Sequence, residues 1–136
     1  MIRKLIVILA MLAGIAAGAA AQNAIDRMMD NYSAVGESKF TSAVERDPRT
    51  RKVKKVVNVL ELRYRGIDEF LKTFRSESGS GDFSEEYSDD GCTLVLTVRK
   101  ASQNRIYMMR CYDPYIPGRR NTRYGRAKIT VIVNYK

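Results

Sequence analysis

The alternation of apolar side chains predicts an α+β domain, an antiparallel sheet of four to six strands with two amphipathic helices packed on one face. Three observations point there. Two segments repeat apolar residues at spacings of three, four and seven. Several others alternate apolar and polar residues with a period of two. The links between neighbouring strands are short and polar, as antiparallel hairpins need.

Residues 1–21 read as a cleavable export signal. Arg3 and Lys4 precede an apolar run from Leu5 to Ala17, and Ala19 and Ala21 supply small residues at minus three and minus one. The competing reading is a transmembrane anchor, which needs about twenty apolar residues; this run is shorter and dominated by Ala and Gly. Cleavage after Ala21 puts Gln22 first, where a lipid anchor would require Cys. The expected product, residues 22–136, is therefore periplasmic or secreted, non-lipidated and without a transmembrane segment. Loss of Arg3 and Lys4 takes the 24 basic residues to 22 against 15 acidic ones, a charge of +7. That length suits one domain.

The first helix places Ile25, Met28, Met29 and Tyr32 on one face, with Asn23 as its cap and Gly36 at its end. Two antiparallel strands follow between Lys39 and Tyr64, with Phe40, Ser42 and Val44 on one face, then Val56, Asn58, Leu60, Leu62 and Tyr64. Asp47-Pro48 opens the turn between them. Ile67, Phe70, Leu71 and Phe74 form a second amphipathic helix, broken at Ser78-Gly79-Ser80-Gly81. The helices lie 42 residues apart, which admits an ancient duplication. The acidic stretch 82–90 reads as either an edge strand or a loop.

After Gly91 the period of two is clear. Cys92, Leu94, Leu96 and Val98 share one face of a strand, and Tyr107, Met109 and Cys111 share one face of the next. Pairing Cys92 with Cys111 sets Leu94 opposite Met109 and Leu96 opposite Tyr107. A disulfide and an apolar face thus select one register. In an exported protein two cysteines are expected to pair. The bond would close a loop of about twenty residues and contribute about 3 kcal/mol; the alternative is two buried thiols. The last strand, Arg126 to Tyr135, carries Ile129, Val131, Val133 and Tyr135 on one face and Ile132 on a half-exposed other.

The chemistry is sparse. The absence of His removes Ser-His and Cys-His catalysis. Asp82, Glu85, Glu86, Asp89 and Asp90 do not follow the spacing of the twelve-residue calcium loop. Nothing in the spacing of Asp68, Glu69, Glu85 and Glu86 points to a carboxylate pair for glycoside hydrolysis. The sequon Asn31-Tyr32-Ser33 falls on the first helix. No catalytic residue, metal ligand or cofactor is expected, and the chain is not expected to be an enzyme.

Basic residues gather in two places. Arg46, Arg49, Arg51, Lys52, Lys54 and Lys55 occupy a hairpin end, and Tyr115, Arg119, Arg120, Arg123, Tyr124 and Arg126, with Lys128 beside them, lie in and around the start of the last strand. The second group is the candidate site for an anionic or protein partner, because cations attract polyanions and tyrosines stack on sugars. After export that partner is an unidentified protein or an anionic glycan or lipid surface rather than nucleic acid. Two functions compete: a binding or interaction module, and an envelope structural or stress protein whose basic face lies on anionic lipid or glycan.

The Ala-Gln export junction, the helix directly after it and the Cys-bearing hairpin resemble small secreted families of unknown function from gut anaerobes. The resemblance is one of layout. It implies a helix-on-sheet architecture of cystatin-like or inhibitor-like kind and assigns no functional residue.

Overall fold

The computed structural model describes residues 23–34, 38–114 and 124–136. The export signal, Gln22, the Gly36 helix end and the segment 115–123 lie outside these. The described elements run α1 (Ala24–Ser33), β1 (Lys39–Arg46), β2 (Val53–Arg63), α2 (Ile67–Ser76), a 3-10 turn (Ser78–Ser80), β3 (Asp82–Ser88), β4 (Gly91–Arg99), β5 (Gln103–Pro114) and β6 (Tyr124–Tyr135). All six strands form one antiparallel sheet in the order β1-β2-β6-β5-β4-β3. The α+β fold is therefore the one read from the sequence, and the acidic stretch is an edge strand over 82–88.

Both helices cover one face. Even-numbered residues of β2 and β4 (Leu60, Leu62, Cys92, Leu94, Leu96) and odd-numbered residues of β5 and β6 (Tyr107, Met109, Cys111, Ala127, Ile129, Val131, Val133) form the core with Ile25, Met29, Ile67, Phe70, Leu71 and Phe74. Each large apolar side chain buried there stabilises the fold by about 1.5–3 kcal/mol. Period two decides which residues go inward, so a one-residue slip of any central strand would expose its whole set.

Helix α1 starts where the sequence places it. The Asn23 side chain accepts from the amides of Ile25 and Asp26 at 2.9 and 3.1 Å, and the Asp26 carboxylate accepts from the Asn23 amide at 3.1 Å. This reciprocal box satisfies donors that the helix itself leaves orphaned. Helix α2 has no side-chain cap and begins at Gly66 with φ 85°. A Cβ there would lie 2.6 Å from the Tyr32 ring, so glycine serves both the backbone turn and the close approach of α1. Tyr32 stacks tilted on Phe70 with ring centroids 5.5 Å apart, and its hydroxyl donates to Glu69 at 3.0 Å.

The β4–β5 hairpin has the register that the cysteines require: Cys92 faces Cys111, Leu94 faces Met109 and Leu96 faces Tyr107. At the other hairpin the Asp47 carboxylate accepts from the amides of Arg49 and Thr50 at 2.7 and 3.1 Å. Those bonds hold its pKa below the ordinary value.

Candidate binding site

The face of the sheet away from the helices has no covering element among those described. Register places its side chains in rows across the strands. Ala43, Val57, Ile132 and Ile106 are neighbours in one row, and Thr41, Val59, Thr130, Met108 and Val95 in the next. These side chains are half-buried or exposed. Below them, Glu61 faces Lys128, which faces Arg110; Arg63 faces Arg126, which faces Tyr112.

Arg63, Arg110, Arg126 and Lys128 thus meet at one corner, on three adjacent strands, and all four are exposed. Glu61 sits within the cluster, and the Asp113 carboxylate pairs with Arg126 Nε at 3.1 Å. The cations outnumber these carboxylates, leaving a local positive field. Tyr64 and Asp113 bound the corner with φ of 57° and 54°, where the ladder gives way to the connecting segments. The connection 115–123 is attached here, leaving at Pro114 and returning at Tyr124, which face each other.

The residues singled out in the sequence fare differently. Tyr115, Arg119, Arg120 and Arg123 lie outside the described residues. Arg126 is at the corner. Tyr124 instead packs against the core; burial, then the neighbouring Cys92 and Cys111 thiols, push its pKa up to about 12. Tyr124 and Arg126 therefore do not form one surface.

Cys92 and Cys111 are buried, unbridged and directly opposed across the β4–β5 ladder. Burial first, and Cys92 second, push the Cys111 thiol far up. A protonated thiol is a poor nucleophile, so Cys111 in its reduced form is chemically quiet. The cysteines line a pocket of about 200 Å³ with Glu86, Tyr87, Arg110 and Tyr112, at the edge of the basic corner.

The acidic residues of 82–90 do not gather. Among the described residues no group of three or more potential ligands is close enough to hold a metal. Glu85 is occupied by Arg75 Nε at 3.0 Å and by the Tyr87 hydroxyl at 2.7 Å. Tyr87 first and Arg75 next lower its pKa. The other basic cluster, Arg46 to Lys55, lies at the far end of β2 from Arg63. At about 3.3 Å per residue the two are about 26 Å apart. There, Lys54 reaches Asp47 at 3.7 Å and Arg46 bonds the Arg51 carbonyl at 3.1 Å.

Of the four cations, the sequence reading groups Arg126 and Lys128 near the last strand and misses Arg63 and Arg110. Each sits on the polar parity of its own strand, a signal present in the sequence, but only the strand order makes them neighbours. No family model matches the chain, and neither curated proteins nor solved structures give a match. Among the described residues no helix is long and apolar enough to cross a membrane.

Proposed function

We propose that this chain is an exported, non-catalytic binding module that holds an anionic partner at the basic corner of its open sheet face. The observation that carries the reading is the convergence of Arg63, Arg110, Arg126 and Lys128 from three neighbouring strands. The sheet fixes the backbones from which the four cations project, so only their side chains are ordered on binding, and guanidinium groups suit phosphate and carboxylate by geometry. The sequence adds Arg119, Arg120 and Arg123 to a connection attached at this corner. The periplasm or cell exterior is the proposed site of action, with Cys92 and Cys111 oxidised to a cross-strand disulfide there.

The second reading, an envelope protein lying on anionic lipid, draws support from the apolar rows beside the cations. Val57, Val59, Ile106, Met108 and Ile132 supply surface that a soluble glycan would not use.

The test compares phosphatidylglycerol vesicles with a soluble acidic polysaccharide in pelleting and retention assays over a salt series. Binding should weaken as salt rises and fall about tenfold or more in the R63A/R110A/K128A variant. Binding indifferent to salt, or unchanged in the triple variant, ends the electrostatic reading. Retention on vesicles alone selects the lipid form.

A further inference from the structure

Every residue of β1 is exposed, and its outer edge has no neighbour among the described strands. Phe40 and Val44 stand 38% and 51% exposed on the helix side of this strand. Such an edge is a template for another strand. We infer that β1 pairs antiparallel with β1 of a second copy of this chain, about a two-fold axis through Ser42, joining the two sheets into one. This inference is independent of the anion-binding reading.

The sequence of β1 is self-complementary about that residue. A two-fold axis normal to the sheet keeps the helix side of one copy beside the helix side of the other, so residues of equal parity face each other. With the axis at Ser42, Phe40 faces the partner's Val44 and Lys39 faces the partner's Glu45; symmetry makes each contact twice. Thr41 faces the partner's Ala43. Centring on Thr41 would set Phe40 against Ser42 and Lys39 against Ala43. Centring on Ala43 would set Phe40 against Arg46 and Ser42 against Val44. Only the Ser42 axis matches both charge and apolarity.

The rows already in the sheet continue across this seam. On the helix side Leu60 and Phe40 are register partners, as are Val44 and Val56, so an apolar row runs through both copies. On the open side Lys128, Glu61 and Lys39 alternate in sign, and Glu45 with Lys55 continues the alternation in the second copy. Ser42 Oγ is held by Asn58 at 2.6 Å, which leaves small, satisfied side chains at the axis.

The opposite edge lacks this property. In β3 an axis at Glu85 or Glu86 sets that carboxylate against its own copy, and an axis at Ser84 sets Asp82 against Glu86. Each central register of β3 meets like charge, which is how edges are guarded against pairing.

The experiment is sedimentation equilibrium of the purified protein over a concentration series, with three variants whose far-UV spectra and melting are checked against the parent. The parent should associate to twice the chain mass. K39E and E45K alone should each weaken association about tenfold, since each places like charges at two symmetric contacts. Mixed together they should form the heterodimer, because all four facing charges are then opposite. Ser42→Cys should yield a disulfide between the two copies at the axis on mild oxidation. A single-chain mass throughout, a ladder of larger species, no association on mixing, or a dimer that the introduced thiols fail to link would overturn the inference.

Discussion

Helices α1 and α2 carry apolar residues at the same spacing, yet they are tied to the sheet by different forces. Helix α2 buries four large side chains, Ile67, Phe70, Leu71 and Phe74, of which three have no exposure at all. Helix α1 fully buries only Ile25 and nearly buries Met29, but it also buries a charge. Asp26, 8% exposed, receives the Tyr107 hydroxyl at 2.7 Å and Arg105 Nη1 at 3.0 Å. That carboxylate closes the capping box as well, so one side chain fixes both the start of α1 and its seat on β5. Apolar packing sets how strongly a helix is held, while a buried ion pair with few correct geometries sets where. The burial of Tyr107, then the negative charge of Asp26, pushes the phenol far above its usual pKa.

The largest effect expected is at α2. Phe74→Ala should cost about 3–5 kcal/mol by urea unfolding, with the denaturant slope unchanged. A loss below about 1 kcal/mol would mean that the apolar face does not hold this helix. Next comes α1: Asp26→Ala removes the cap partner and leaves Arg105 without its counter-ion. It should cost about 2–3 kcal/mol. Asp26→Asn removes the charge and replaces one of the two acceptor oxygens by a donor among groups that themselves donate, so its loss should approach that of Asp26→Ala; a loss near zero would mean that this carboxylate does not seat the helix.

The smallest effects differ in sign. Asp30 on α1 has its pKa raised by burial and by Asp26, so its charged form is disfavoured in the folded chain. Its penalty is present above the folded pKa and is relieved as pH falls towards the unfolded value. Glu85, bonded by Tyr87 and by Arg75 of α2, has its pKa lowered. Its contribution is present above the unfolded pKa and is lost as pH falls through the folded one. At neutral pH Asp30→Asn should therefore raise the melting temperature slightly and Glu85→Gln lower it. Both differences should fade in melts recorded below about pH 3. Same-sign shifts for the two variants would contradict the assignment.

Periodicity made much of this legible in the sequence. The two helix faces, the inward parity of β2, β4, β5 and β6, and the β4–β5 register all follow from local spacing, because a helix or hairpin is specified by neighbours along the chain. Strand order was not legible: β6 inserts between β2 and β5, a pairing of distant segments that no local pattern encodes. The basic corner was hidden for the same reason. Phe40, Ser42 and Val44 alternate like a buried strand, but no described helix covers them, so the pattern named the face without its burial. Asp26 read as an ordinary polar residue between apolar ones; the basic and phenolic groups that bury it are about eighty positions away.

Gly66 ties the two helices into one event. With only hydrogen where other residues carry a carbon, it lets the Tyr32 ring settle over the first turn of α2 and cover Phe70. Lifting α1 from the sheet therefore wets the start of α2, and loosening α2 takes the floor from under Tyr32. Slow amide exchange should then report one shared opening for both helices, with neighbouring protection factors moving in step, rather than a firm helix and a frayed one.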